Sequence, residues 1–199
     1  MKDFWNERYQ QDAFIYGKKP NTFFAEQILL LEPGSILLPA EGEGRNAVYA
    51  AGLGWEVTAF DYSEAAQAKA KKLADEANVR IDYRVAQATD FHVNEGSFDV
   101  VALIYAHLPP QIRKVVHQRV ITWLRPGGRI ILEAFHPRQL QHSSGGPKNT
   151  ELLYDQSMLR DDFSALKEIM MKEQTIHLSE GDYHQGEAEI VRYVGKKEG

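Results

Sequence analysis

The chain has 199 residues, 43% of them hydrophobic and 26% charged, with a net charge of −5. Such proportions belong to a globular domain with enough length for a sizeable core, and the acidic balance without a basic stripe excludes a sequence-independent grip on nucleic acid. The absence of cysteine excludes disulfides, thiolate metal sites and a cysteine nucleophile, and it fits a cytoplasmic protein.

The opening residues, Met1 to Arg8, are too polar for a signal peptide. No apolar run approaches membrane-spanning length. Residues 4–11 read as a short amphipathic helix with Phe4, Trp5 and Tyr9 on one side. A turn follows around Gly17 to Pro20. Residues 22–31 read as a helix with Phe23, Phe24, Ile28 and Leu31 inward, stopped by Pro33-Gly34. Strands at 35–39 and 55–60 then alternate with helices at 44–52 and 64–77, the latter capped by Ser63. Lys69, Lys71 and Lys72 form the densest basic group, on a helix face that reads as solvated. A strand at 79–85 and an apolar strand at 98–104 follow. Pro109-Pro110 starts a helix to Leu124, and Pro126-Gly127-Gly128 turns into a strand at 129–135. Near-continuous apolar strands alternating with helices mean a parallel sheet covered on both faces.

After Phe135 the character changes. Residues 137–150 are polar and read as a loop, 158–166 as a short helix, and 169–178 and 187–194 as strands. The segment 179–186 joins those two strands as a hairpin, so one runs antiparallel to the other. No linker or repeat divides the chain. We expect one domain: a helical cap at 1–33, a cofactor-binding core at 34–136, and a substrate side at 137–199.

The most informative stretch is Ser35-Ile36-Leu37-Leu38-Pro39-Ala40-Glu41-Gly42-Glu43-Gly44-Arg45-Asn46-Ala47. A short strand feeds a glycine turn and then a helix start, which brings backbone N–H groups close to a ligand. Asp61 ends the next strand, at about the distance where an α/β nucleotide fold sets a carboxylate on a ribose. The pairing points to an adenosine-containing cofactor. The loop also fits Gly-x-Gly-x-x-Ala, a dinucleotide fingerprint. The Tyr-x-x-x-Lys pair of single-domain reductases, however, occurs only as Tyr193 and Lys197 in the C-terminal tail.

The order of motifs is more specific than any one of them. Glu41-Gly42-Glu43-Gly44-Arg45-Asn46, Asp61-Tyr62-Ser63, Phe98-Asp99-Val100-Val101 and Leu124-Arg125-Pro126-Gly127-Gly128 together resemble the class I S-adenosylmethionine-dependent methyltransferases. Trp5-Asn6-Glu7-Arg8-Tyr9 and Glu180-Gly181-Asp182-Tyr183-His184-Gln185-Gly186 make the chain similar to the subgroup around the tellurite-resistance and thiopurine methyltransferases. The resemblance implies a doubly wound, seven-stranded, mostly parallel Rossmann-like sheet with an antiparallel last strand. It implies S-adenosylmethionine as methyl donor and S-adenosylhomocysteine as product. Gly42 and Gly44 would approach the methionine part, Glu41 would organise the loop, and Asp61 would accept from the ribose hydroxyls. Tyr62 would lie on the adenine, with Gln87 and Ala88 at its edge. Gln87 replaces the family's usual acid there. Tyr105 would end the fourth strand near the sulfonium.

A methyl acceptor should enter at the carboxyl ends of the strands. That edge carries Tyr105-Ala106-His107-Leu108 and His136-Pro137-Arg138. If the sixth strand is parallel, it also carries Tyr183 and His184. His107, His184 and Tyr105 are the candidates for catalysis; the plain alternative is a cap or surface residue for His107 and a hairpin-turn residue for His184. His136 and Arg138 are candidates for orienting an anionic acceptor or for a solvated loop. Tyr16 and Trp5 either cap the cofactor pocket or simply pack. His117 and Asp99 read as structural. The missing carboxylate around Ala106 argues against a magnesium-dependent site, and clustered ligand spacing for other metals is missing too. The expected partner is a small-molecule methyl acceptor, neither nucleic acid nor membrane. The alternatives are a non-catalytic S-adenosylmethionine-binding sensor or interaction module and, more weakly, a nicotinamide-dependent reductase.

Overall fold

Strand alternation explains the architecture. Leu37, Val101, Leu103, Ile130 and Leu132 point to one face of a sheet, and Ile36, Leu38, Val100, Ala102 and Ile131 to the other. Every strand of that central group is therefore apolar on both sides and needs cover on both. The computed structural model describes residues 2–199, with side chains from Trp5 onward; the expected packing of Phe4 lies outside the described side chains. The elements are α1 (Lys2–Tyr9), α2 (Thr22–Ile28), β1 (Ser35–Pro39), α3 (Arg45–Gly52), β2 (Glu56–Asp61), α4 (Glu64–Glu76), β3 (Asp82–Val85), β4 (Phe98–Ile104), α5 (Pro110–Trp123), β5 (Leu124–Phe135), α6 (Gln156–Asp162), β6 (Lys167–Glu180) and β7 (His184–Lys196). α2, α3 and α4 cover one face, α5 and α6 the other.

The seven strands lie in the order β3-β2-β1-β4-β5-β7-β6. β7 is antiparallel to both β5 and β6, so β6 runs parallel with the rest. The order reverses direction between β1 and β4, which are hydrogen-bonded neighbours. This is the switch point where α/β sheets open a crevice for ligands. Ala40 and Tyr105, the residues that follow β1 and β4, both hold φ of 53°. Left-handed backbone at a non-glycine residue costs roughly 1–2 kcal/mol. Strain of this kind concentrates where function requires it.

Several local expectations need correction. α2 ends at Ile28, three residues early, because Leu30 and Leu31 close tight turns onto the Gln27 and Ile28 carbonyls. Leu29 and Leu30 are left exposed. β3 begins at Asp82, not 79. Asn78 adopts φ 54° and Val79 N–H returns to the Ala74 carbonyl, so these residues are spent leaving α4. α6 starts at Gln156, not 158, because Asp155 caps it by accepting from Met158 N–H at 2.8 Å. β6 and β7 reach into the expected eight-residue connection until only residues 181–183 turn. β6 is the sheet edge and mixes polar residues on both faces, which masks its length in the sequence. Lys69 is not solvated: its ammonium donates to Glu43 Oε1 at 2.8 Å and to the Ala13 carbonyl at 2.6 Å.

At the far end from the switch point, Asp99 ties β4 to β1 by accepting from Ser35 N–H and Oγ–H, both at 2.8 Å. His117 is buried in α5 and bonds Asp162 at 2.8 Å, which also pairs with Arg113. Among the described residues no helix is long and apolar enough to cross a membrane.

Candidate active site

The carboxyl ends of β1 and β2 build one half of the site. After β1, Glu41 turns back and its Oε1 accepts from the N–H groups of Asn46 and Ala47, both at 2.8 Å. A carboxylate from inside the loop thus caps the first turn of α3, where a negative charge also suits the helix dipole. Burial outweighs these bonds and raises its pKa to about 7. Gly44 holds φ of 88°, and a β-carbon there would lie 2.6 Å from that of Ala70, so α4 can pack against the loop only if this residue is glycine. Glu43 faces the other way and accepts from Ile15 N–H at 2.8 Å, which draws the N-terminal segment onto the loop.

Asp61 at the end of β2 is buried. Among the described residues its carboxylate accepts only from the backbone, from Ser63 N–H at 2.9 Å and Gly42 N–H at 3.3 Å among others. With no cation against it among the described residues, burial raises its pKa to about 6. Tyr83 donates to the Gly42 carbonyl at 2.5 Å, and Ser63 donates to Asn6 of α1 at 2.6 Å. A β-carbon on Gly42 would sit 2.8 Å from the Tyr9 hydroxyl. Trp5 stacks on Tyr9 at 5.4 Å, so α1 lies over this half of the site. Tyr62 and Ala88 are half-buried and Gln87 is exposed at the same edge.

The carboxyl ends of β4, β5 and β6 and the start of β7 build the other half. Tyr105 stacks on Phe135 at 4.7 Å and meets His184 edge-on at 4.9 Å. Tyr16 lies 4.5 Å from His184 on its other side. Glu180 and His184 are the last cross-strand pair of the β6–β7 hairpin. Glu180 accepts from Arg45 at 2.8 Å, from Asn21 at 3.2 Å and from His184 Nδ1 at 3.3 Å. Burial works against its charge, but the His184 bond and the Arg45 guanidinium prevail and hold its pKa at about 2. Glu133, fully buried in β5, accepts from Asn21 and from Arg192, both at 2.6 Å. Among the described residues the buried Tyr105 hydroxyl finds no hydrogen bond of ordinary geometry. Burial and the charges of Glu133 and Glu180 raise its pKa well above the usual phenol value.

A methyltransferase domain family matches residues 36–128. No curated protein sequence matches the chain. Solved structures do. A protein described for converting a disulfide bond into a thioacetal group during echinomycin biosynthesis superposes with a TM-score of 0.78 at 20% identity, over 100% of this chain and 92% of its own. TehB from Haemophilus influenzae gives 0.74 at 16%, over 99% and 67%. The 1,6-didemethyltoxoflavin-N1-methyltransferase of Burkholderia thailandensis gives 0.67 at 17%, over 88% and 76%. This is the class I S-adenosylmethionine-dependent methyltransferase fold. The family match ends at the turn before the regular pairing of β5, so it spans the first half of the site and stops short of Glu133, Glu180 and His184.

Within this methyltransferase fold, the predicted residues separate into groups. Glu41, Gly42, Gly44 and Asp61 converge on the loop, with Tyr62, Gln87 and Ala88 along the neighbouring edge. Tyr105 and His184 meet beside the switch point. His107 does not offer a free nitrogen: Nδ1 contacts the Leu152 carbonyl at 2.5 Å and Nε2 accepts from Phe135 N–H at 3.3 Å. Burial lowers its pKa to about 4. His136 caps the following turn by accepting from Arg138 N–H at 3.1 Å and faces Glu173. Arg138 pairs with Glu189 at 2.9 Å. Tyr183 is exposed, under the Arg8 guanidinium at 4.7 Å. Tyr193 and Lys197 sit at the opposite end, where Lys197 donates to the Ile121 and Leu124 carbonyls. Sequence reasoning missed Arg45, Asn21, Glu133 and Glu180. One signal was available: Glu133 is a lone charge inside the apolar run Ile130 to Phe135.

Proposed function

We propose that the protein transfers a methyl group from S-adenosylmethionine to a small-molecule acceptor in the cytoplasm and leaves S-adenosylhomocysteine. The observation that carries this reading is Asp61, a buried carboxylate at the end of β2 with backbone donors alone and, among the described residues, no cation. Such a group is under-satisfied until hydroxyl donors reach it, and a ribose diol supplies two. Gly42 and Gly44 give the methionine end close access to backbone, on a loop that Glu41 holds in place. Tyr62 would lie along the adenine, with Gln87 and Ala88 at its edge, and Tyr105 would close the site towards the sulfur.

S-adenosylmethionine supplies an electrophilic methyl on a cationic sulfur when bound. The chain's own part is to position the acceptor and exclude water. Tyr105, Phe135 and His184 stand in mutual ring contact, which suits a small, soft or planar acceptor. The similar folds include proteins named for sulfur chemistry and for methylation of a ring nitrogen, which supports a thiol, metalloid or heterocycle class. His107, with both nitrogens engaged by backbone, serves as packing against Phe135 beside those rings.

Calorimetry with S-adenosylmethionine and with a nicotinamide dinucleotide tests the reading. Binding of the first alone is the expected result. No heat at millimolar S-adenosylmethionine overturns it. Transfer of labelled methyl to any member of a thiol, metalloid and heterocycle panel separates an enzyme from a binding module.

A further inference from the structure

The half of the site outside the family match holds a chain of charges with a direction. The chain begins at Arg45, the first residue of α3, whose guanidinium donates to Glu180 Oε2 at 2.8 Å and to the Tyr16 carbonyl at 3.2 Å. Glu180 Oε2 also meets His184 Nδ1 at 3.3 Å, while Oε1 takes Asn21 at 3.2 Å. The carboxylate is thereby fully engaged, and its place relative to His184 is set by hairpin register. Gly181, next in the turn, has no room for a β-carbon against Ile15 and Gly17, so the N-terminal segment closes directly over the pair.

An ionised carboxylate only accepts, so Nδ1 of a neutral His184 must carry the proton. The lone pair then sits on Nε2, which has no hydrogen-bond partner among the described residues. Gly145 packs against this edge of the ring: a β-carbon there would lie 3.3 Å from Nε2 and 2.6 Å from Cδ2, so only glycine fits beside it. Tyr105, Phe135 and Tyr16 complete the wall around the ring.

We propose that His184 Nε2 is a general base, positioned by Glu180 and Arg45, and that the acceptor is therefore a protic nucleophile: a thiol, a hydroxyl or a ring N–H. This rests on the methyl-transfer reading above. The acceptor X–H gives its proton to Nε2, and the electron pair of that bond forms X–CH3 while the methyl carbon's bond to sulfur breaks and its pair stays on sulfur. One positive charge is lost at sulfur and one gained at the imidazolium, so the net charge of the site is unchanged. Glu180 and Glu133 face the position where it arrives. The charged and titratable groups around His184 are Glu180 on β6, Arg45 on α3, Glu133 on β5, Tyr16 from the N-terminal segment, and Tyr105 and His107 after β4. Burial lowers the His184 pKa and Arg45 adds to this, while Glu180 and Glu133 pull it back. The imidazole is therefore neutral and ready to accept at pH 7.

Nitrogen-15 NMR of the full chain, without cofactor, reads the tautomer directly. The expected state at pH 8 is protonated Nδ1 and bare Nε2. The titration midpoint should fall in Glu180→Gln and rise in Arg45→Gln, a split that a merely structural role would not produce. A protonated Nε2 in the wild-type chain overturns the proposal even if both variants fail to fold. In transfer assays, His184→Asn should slow methylation of thiophenol, phenol or indole by roughly 10²–10⁴-fold, with S-adenosylmethionine affinity unchanged by calorimetry. Undiminished transfer by His184→Asn overturns the base. If no form binds S-adenosylmethionine, the methyl-transfer reading falls, and the NMR result alone decides the relay.

Discussion

The two halves of the site treat buried carboxylates in opposite ways. Glu41 and Asp61, at the ends of β1 and β2, are bonded mainly by backbone N–H groups; Arg45 acts on Glu41 and no cation on Asp61 among the described residues, and burial raises them to about 7 and 6. Glu180, at the end of β6, is held at about 2 by His184 and Arg45. One half is incomplete without a ligand that brings donors. The other is complete before any ligand arrives. A cradle that gains its partners on binding suits a cofactor that comes and goes. A charge chain that is already satisfied suits a group whose orientation must not depend on the substrate.

The largest expected effect breaks the preformed half. Glu180→Ala leaves Arg45 buried without its carboxylate, and loss of one member of a buried pair costs about 3–5 kcal/mol. Urea unfolding at pH 7 measures it; a loss below about 1 kcal/mol would mean that solvent already reaches the pair. The second effect concerns Asp61→Asn and has two opposed parts. A raised carboxylate binds more protons in the folded state than in the unfolded one, so its contribution to stability is greatest below the unfolded value of 3.8 and is lost as pH rises through about 6. Removing the charge should stabilise the ligand-free fold at pH 8 by roughly 1–3 kcal/mol, and weaken S-adenosylmethionine by a similar amount. Melting temperature and calorimetry read the two parts, and stability and affinity falling together would sink the account.

A smaller effect follows from the same signs. Cofactor binding should tighten from pH 5 to 7.5 as Asp61 ionises, and this slope should vanish in Asp61→Asn. Glu180 gives the reverse trend in stability: its lowered pKa contributes above about 4.5 and is lost as pH falls towards 2. The ligand-free fold should therefore be most stable at mildly acid pH. A flat profile between pH 3 and 8 in urea unfolding would contradict both shifts.

These halves were also unequally legible in the sequence. The first was readable because its signals are local: a strand, a glycine turn and an acid at the next strand end follow within some twenty residues, and β1, β2 and β4 are apolar on both faces. The second is assembled from residues far apart in sequence. Arg45 and Glu180 are separated by 135 positions, and Asn21 and Glu133 by 112. Glu180 lies on an edge strand whose polar alternation looks like ordinary solvent exposure. His107 carried the expected residue type at the expected place, yet its nitrogens are consumed by Leu152 and Phe135 backbone, which no spacing rule reveals. Lys69 reads as solvated in the sequence for the same reason, since its partners Glu43 and Ala13 come from segments brought over α4 only by folding.

The smallest predicted effect lies at the other end of the sheet and tests whether the comparison is about the site or about carboxylates in general. Asp99 has its partners in place, Ser35 N–H, Ser35 Oγ–H and Arg125, and its pKa is lowered: burial opposes the charge, and the Ser35 bonds and Arg125 overcome it. Its side chain is 39% exposed and Arg125 is 48% exposed, so solvent screens much of this gain. Asp99→Asn should cost only about 1 kcal/mol, close to the value of the hydrogen bonds it weakens. S-adenosylmethionine affinity, its pH slope and the His184 tautomer should all be untouched. If Asp99→Asn shifted the pH slope of binding, the slope would report global charge and not the ionisation of Asp61, and the contrast between the two halves of the site would lose its physical basis.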